Sequence, residues 1–501
     1  LGLRELFQQG SNVYDLAINP PIYRSNIWLF LTAITSRAIE GADLETVEGV
    51  VPLVDAYLDK HHDRFWLVHP THPFYQDASL KNEGALPAPL ADYIKPTCNF
   101  DTARQIKGSN GSLYNRGCGT DPKPLPLDEA AITIIHHQMR ATSGLLGMPG
   151  VKGGKFSAKA PALRTAMLWF LKGANFLDTV FLNASLWGEQ NKIGTAGEDL
   201  PPWERKAHPW ADHEFYNPKT KAWAQFFRSP RGFVDIATSQ SRRALLVLGD
   251  SGETIEGIVT VPCEVITLDG MVPPFCIGKW ERKKDKGGDV TLIPRGLAPA
   301  NPRTLPRHWA TMQSIIEGKV NWRIPEQVDE DAVGNVRVMV FGSLYADKKH
   351  MILSQSFESV PPLPAALLAN QSTRNKLTGL HQIFSVALME LRWATSVKRG
   401  KGDPLALVGE TAAMQQATDR LQRIYRDFLP QLPSAGDGEL AALCKQTTRA
   451  VHDAFIQNIF LPNLGSGTGI PGKEGDIGSM LLAKSTWLEY GLCKRLELIR
   501  I

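Results

Sequence analysis

The sequence predicts an α+β protein: a helix-rich N-terminal domain with small antiparallel β-sheets over residues 1–360, then a C-terminal four-helix bundle over residues 361–501. Three observations predict it. The chain has 501 residues, too many for one compact core, so it divides into domains. Between Phe226 and Ile352, short runs with strand composition replace helical spacing. Beyond Pro361–Pro364, four stretches carry apolar residues at helical spacing, with breakers between them.

In chain order, Ile27–Ala38 reads as a buried helix and Leu44–Leu58 as an amphipathic one. From Asn99 to Pro126, glycines and prolines outnumber periodic apolar residues, which predicts a long loop of a kind usually functional or disordered. Leu127-Asp-Glu then opens a helix with acidic residues in its first turn, running through His137. After the Gly-rich turn Gly147–Gly154, the apolar richness of Ala162–Leu186 predicts one long core helix. The runs Ala244–Leu248, Gly257–Val261, Glu264–Leu268 and Val336–Phe341 read as strands, arranged as hairpins rather than βαβ units. In the last part the periodic sets are Leu377, Leu380, Phe384, Leu388 and Leu391; then Met414, Ala417, Leu421, Ile424 and Phe428. Leu440, Leu443, Val451 and Phe455 form the third, and Met480–Leu498 the last.

Composition sets limits. Apolar residues make up 43% and charged residues 21%, ordinary for a folded protein, and the net charge is a mild +4. Such an excess says nothing of nucleic acid until its location is known. The cysteines Cys98, Cys118, Cys263, Cys276, Cys444 and Cys493 form no C-x-x-C pair, so reduced thiols of an intracellular protein are expected and no zinc site. Cys263 and Cys276 are spaced to meet across a hairpin, although separate thiols are the plainer reading. The apolar run Ile27–Ile34 is far short of a membrane span and no signal peptide opens the chain, so a soluble cytoplasmic protein without a membrane partner is expected. The chain starts at Leu1 without Met, and a preceding segment is expected to be missing.

The strongest enzyme lead is His61-His62-Asp63 with His69 and His72, the residue types of a metal-dependent phosphohydrolase. Pro70 and Pro73 beside the later histidines favour an extended turn instead. His136-His137 lies on a helix without the HExxH pattern. Gly467–Gly472 matches G-x-G-x-x-G but follows a helix and carries Pro471, so it fails the dinucleotide context. No catalytic residue, metal or cofactor is assigned.

Clustered charge is more informative. Lys279, Arg282, Lys283, Lys284 and Lys286 fall together around Trp280, a density suited to tracking phosphates. Gly153-Gly154 between Lys152 and Lys155 offers bare peptide N–H groups beside positive charge. Asp347-Lys348-Lys349 sits in a turn after a strand, a place from which a side chain can enter a minor groove.

Several stretches together resemble CasA, the large-subunit family of the type I-E CRISPR surveillance complex Cascade. Leu3-Arg-Glu-Leu-Phe7 is similar to the family's early helix, and His72-Pro-Phe-Tyr-Gln76 to its H-P-F-x-Q stretch. Asn110–Asn115 resembles the loop that follows, Leu127–Ala131 the next helix, and Gln240-Ser-Arg-Arg243 a strand entry in which Ser239 replaces a tryptophan. The order and spacing of these matches carry the resemblance more than any one motif.

The resemblance implies an N-terminal domain of unusual fold, a C-terminal four-helix bundle, and no catalysis. It implies a subunit that recognises a protospacer-adjacent motif in target double-stranded DNA, helps open the duplex for R-loop formation, and recruits a helicase–nuclease. The crRNA and other Cascade subunits are further implied partners. Base pairing then reads the sequence while the protein reads a short motif and deforms DNA. By position, the groove-approaching loop resembles Gly150–Lys155, with Gly153 or Gly154 at the contact. Lys283 or Lys284, with Lys286 nearby, corresponds to the basic hairpin. The wedge that splits the first base pair resembles Tyr345–Lys349. Lys349 stands where some members carry glutamine, and lysine lacks an amide's acceptor. The loop around Leu113 and Asn115 resembles the segment contacting the crRNA 5′ handle and neighbouring subunits.

Overall fold

A computed structural model describes residues 1–42, 44, 46–82, 86, 88–96, 124–141, 144–147, 155–164, 166–186, 197–208, 211–217, 219, 222–268, 273, 275–277, 279–284, 290–295, 337–345, 352–359, 371–398, 404–406, 409–464 and 477–499. The chain divides into two compact units: Leu1–Pro299 with Val338–Ser359, and Ala300–Arg337 with Val360–Ile501.

The N-terminal unit is organised around the helix Pro21–Ala38, started by a proline in its first turn. Nearly all of its residues from Ile22 to Thr35 are buried, so it has no solvent face. Its hydroxyls bond back to the helix itself, Thr32 Oγ1 to the Trp28 carbonyl at 2.8 Å and Thr35 Oγ1 to that of Leu31 at 3.0 Å, which makes their burial tolerable. Trp28 stacks on Phe176 at 5.7 Å between ring centroids, and Phe7 meets the same ring edge-on at 5.1 Å. The amphipathic segment after it begins with the 3-10 turn Val47–Gly49, and the α-helix proper is Val50–Lys60. Leu127–Arg140 is a helix as predicted, with Asp128 and Glu129 in its first turn.

Ala162–Leu186 is not one helix. Met167–Lys172 is a strand, Gly173 follows, and only Phe176–Leu186 is helical. A fully apolar run has no face to distinguish the two periods, so a buried strand reads like a buried helix. Asn183 joins the pieces: it accepts from the Leu171 N–H at 3.0 Å and donates to the Leu171 carbonyl at 2.7 Å.

Two four-stranded sheets follow. In one, Thr254–Pro262 pairs antiparallel with Arg242–Leu248 along its length and with the short strands Lys95–Pro96 and Leu125–Pro126. In the other the order is Cys276–Ile277, Met167–Lys172, Arg337–Tyr345, Ile352–Ser359. The expected hairpins are there, with a parallel pairing of Glu264–Ile266 on Phe226–Arg228 added. Cys263 and Cys276 are both buried free thiols, so no bridge joins them.

The C-terminal unit is the four-helix bundle: Gln371–Ala394, Glu410–Phe428, Asp437–Phe455 and the segment from Ile477 to Glu497. The first helix packs on each of the other three. Leu380, Phe384, Leu391, Leu421, Val451 and Phe455 are fully buried. Two helices continue through wide π turns, Ile456–Phe460 and Trp487–Gly491. Gly409, at φ +92°, starts the second helix so close to the third that a Cβ there would lie 2.0 Å from the Asn458 carbonyl oxygen.

Candidate nucleic-acid interface

Of the predicted interface residues, Lys155, Lys283 and Lys284 lie in strands of antiparallel ladders in the N-terminal unit. Gly144–Gly147 pairs with Lys155–Ala158, and Lys155 sits opposite Gly147 at the open end. Gly150, Lys152, Gly153 and Gly154 belong to its connection and lie outside the described residues. Lys279–Lys284 pairs with Val290–Arg295, where Lys283 faces Thr291 and Lys284 faces Val290, the last described pair. Lys283 and Lys284 are the strand residues beside the connection that holds Lys286. Lys286 is outside the described residues. Arg337–Tyr345 pairs with Ile352–Ser359, ending at Tyr345 opposite Ile352 after an irregular step at Leu344. Asp347, Lys348 and Lys349 fall in that connection, also outside the described residues. The second and third ladders share a root. The strand Cys276–Ile277, which leads into the lysine ladder, belongs to the same sheet as the Tyr345 hairpin.

Leu113 and Asn115 likewise lie outside the described residues, but the ends of their segment are fixed. Lys95 and Pro96 pair with Ile258 and Gly257, and Leu125 and Pro126 with Ile255 and Thr254. The chain thus leaves and rejoins one strand at neighbouring positions. Gly257 permits that approach, because a Cβ there would lie 3.0 Å from the Lys95 carbonyl oxygen.

The motif stretches that carried the resemblance meet inside this unit as a buried polar seam. The Gln76 side chain donates to the Leu67 carbonyl at 2.7 Å and accepts from the Leu246 N–H at 2.8 Å. Asp77 donates its N–H to the Ala244 carbonyl at 2.8 Å, and its carboxylate accepts from Arg243 Nε at 2.6 Å. Burial raises the Asp77 carboxyl, but Arg243 and Ser79 outweigh it and hold it below the ordinary 3.8. Gln138 binds the carbonyls of Tyr75 and Arg242 and accepts from the Arg242 N–H, each at 3.0 Å. These residues hold the sheet against the helix Leu127–Arg140, a structural role.

A second polar cluster was not visible in the sequence. Arg228 grips Asp235 with two bonds, at 2.6 and 2.8 Å, and Glu264 with two more, at 2.7 and 3.0 Å. Arg205 adds a bond to Asp235 at 2.5 Å. Burial pushes the Glu264 carboxyl up, whereas at Asp235 the two guanidiniums overcome burial and hold it down. No spacing pattern joins residues 205, 228, 235 and 264, so only tertiary structure could reveal them.

The histidine lead does not converge. His61 lies against the Tyr57 ring, and burial lowers its pKa. His69 Nδ1 accepts from the His72 N–H at 2.9 Å, closing a local turn. Among the described residues no three His, Cys, Asp or Glu side chains are grouped to hold a metal ion. His136 and His137 are buried core residues, His136 Nδ1 lying 2.7 Å from Asn26 Nδ2.

An α+β protein with a helix-rich N-terminal unit, small antiparallel sheets and a helical bundle is the class these features define. Residues 1–457 match the family described as CRISPR-associated protein Cse1. The chain therefore belongs to the Cse1 family, also called CasA. It is 26% identical over 394 residues to the CRISPR-associated protein CasA/Cse1 of Thermus thermophilus, covering 75% of this chain and 69% of that protein. Its fold matches Cse1 of Thermobifida fusca with a TM-score of 0.68 at 20% identity, over 100% of this chain and 95% of the other. It also matches a chain of a CRISPR RNA-guided surveillance complex with a TM-score of 0.66 at 16% identity, over 98% and 94% of the two chains. Among the described residues no helix is long and apolar enough to cross a membrane.

Proposed function

We propose that this chain is the non-catalytic large subunit of a type I-E Cascade, recognising the protospacer-adjacent motif in duplex DNA and promoting R-loop formation. The observation that supports this reading is membership of the Cse1 family, together with hairpin strands that carry Lys155, Lys283 and Lys284 next to the candidate contact segments. Hairpin ends project backbone and short side chains, as groove reading and strand separation require. The division of the chain into a motif-reading part, residues 1–360, and a bundle that docks the helicase–nuclease belongs to the same proposal. So do its partners, the crRNA bound through the Leu113–Asn115 segment and the other subunits, and its place in the cytoplasm.

The test uses the assembled complex and a duplex carrying its motif. Lys283→Glu with Lys284→Glu, and separately Lys349→Glu, are expected to weaken duplex binding and reduce its salt slope, by about one unit per lost phosphate contact. Affinity and salt slope both equal to the parent's would refute the assignment of these lysines.

A further inference from the structure

The N-terminal unit holds a cavity of about 240 Å³ between the segments Thr71–Ser79 and Pro202–His208, used by none of the functions above. One wall is aromatic. Phe74, Tyr75 and Trp203 line it and are themselves buried, with ring centroids 4.8 Å apart for Phe74–Tyr75 and 5.9 Å for Tyr75–Trp203. Rings locked against one another give a rigid apolar surface at little entropic cost.

The charged part of the lining is mostly cationic. It comprises Arg64, Arg205 and Lys206 against one carboxylate, Asp77. Asp77 is already neutralised by Arg243, and Arg205 by Asp235. Lys206 has no carboxylate partner among the described residues. The neighbour of Arg64 is Asp63 at 3.6 Å, a solvent-exposed pair of little strength. Burial, with Arg205 and Arg243 nearby, lowers the His208 pKa from 6.5 against the opposing pull of Asp77, and so disfavours its charged form. The mouth is therefore positive through Arg64 and Lys206, beside an apolar wall. Its volume is below the ~300–1,000 Å³ of sites for drug-sized molecules, which suits one flat base inside with the rest of its ligand at the mouth.

We propose that this cavity binds one nucleotide, its base against the Phe74–Tyr75–Trp203 wall and its phosphate at Arg64 and Lys206. Base-on-ring contact tolerates any base, since each has a π face, and Arg and Lys are the phosphate-binding side chains. The occupant is either a free mononucleotide or an unpaired nucleotide of a strand. The proposal stands apart from duplex recognition, since the cavity shares no residue with the three hairpins.

Calorimetric titration of the full chain with AMP, adenosine, inorganic phosphate and a short single-stranded DNA tests it. AMP is expected to bind saturably, and adenosine or phosphate alone at least about tenfold more weakly. Arg64→Glu and Lys206→Glu, both changes of solvent-accessible side chains, are each expected to weaken AMP by about tenfold. Ala207→Trp at the exposed rim, which removes neither cation, is expected to weaken AMP binding as well. An oligonucleotide that competes with AMP identifies a strand nucleotide as the occupant. AMP binding without competition identifies a free one. No binding of AMP or oligonucleotide, or binding unaltered by both charge reversals, overturns the proposal. Duplex binding by complexes assembled with these variants, measured in parallel, separates a failure here from a failure of the hairpin assignment.

Discussion

The two units are held together in different ways. In the N-terminal unit, buried polar side chains tie together segments distant in sequence: Gln138 to Arg242, Gln76 to Leu246, Arg37 to Glu204. In the bundle, Leu, Phe and Ala side chains make up most of the interior, while the pair Arg420–Asp453 lies at the surface. Polar ties join them, such as Lys484 Nζ to the Trp393 and Ala394 carbonyls at 3.1 and 3.0 Å and Trp487 to Glu390 at 2.9 Å. Directional bonds fix one register for irregular segments, whereas packing does most of the aligning of regular helices. The contrast explains why loops and hairpins can be carried precisely by a unit with few long elements.

The comparison breaks most readily at Asp235. Asp235→Ala leaves the buried Arg205 guanidinium without a carboxylate and Arg228 with Glu264 alone, and is expected to cost about 3–5 kcal/mol. Its effect, read by amide exchange, should fall on the N-terminal unit, and an unchanged exchange pattern there would show that the network holds nothing. Leu421→Ala is the matching test of the bundle, with about 3 kcal/mol expected from the lost burial and residual cavity. Protection should drop in the four helices, and a loss spread evenly over both units would contradict the contrast. Gln138→Ala removes three buried hydrogen bonds, to the Tyr75 carbonyl and to the Arg242 carbonyl and N–H, and is expected to cost about 2 kcal/mol, measured as a lower urea midpoint. Arg420→Ala is expected to change stability by less than about 0.5 kcal/mol, and a larger loss would mean the bundle also depends on ionic contacts.

Acid sharpens the same point. Asp77 and Asp235 have folded-state pKa values below the ordinary 3.8. Between the folded and unfolded values the unfolded chain binds more protons, so their contribution is full above about pH 4 and is lost as pH falls through the folded values. Glu264, raised by burial, opposes the trend. Asp77→Asn should flatten the fall in N-terminal-unit protection below about pH 4, and an identical slope in the variant would remove Asp77 from the account.

Legibility followed the same division. The bundle was readable because Leu377, Leu380, Phe384, Leu388 and Leu391 repeat at one period that no strand shares, and each is buried. Of the strands flanking the candidate contacts, Arg337–Tyr345 was readable from the β-rich run Val336–Phe341, whereas Gly144–Gly147 and Lys155–Ala158 were hidden beside a Gly-rich turn. The Met167–Lys172 strand was not, since a segment buried on all sides carries no alternation. His72–Gln76 and Gln240–Arg243 were readable as motifs but not as partners, because 170 positions separate Gln76 from Leu246.

By itself, then, the sequence determined the helical bundle, the hairpin-rich stretch and the kinship with the Cse1 family, because each is written in local period or in ordered motifs. Only the tertiary structure decided that the two motif stretches close one buried seam, that Arg205, Arg228, Asp235 and Glu264 form a network, and that an aromatic-walled cavity opens beside Arg64 and Lys206. These depend on side chains from segments that meet only after folding, and no local pattern in the chain encodes that meeting.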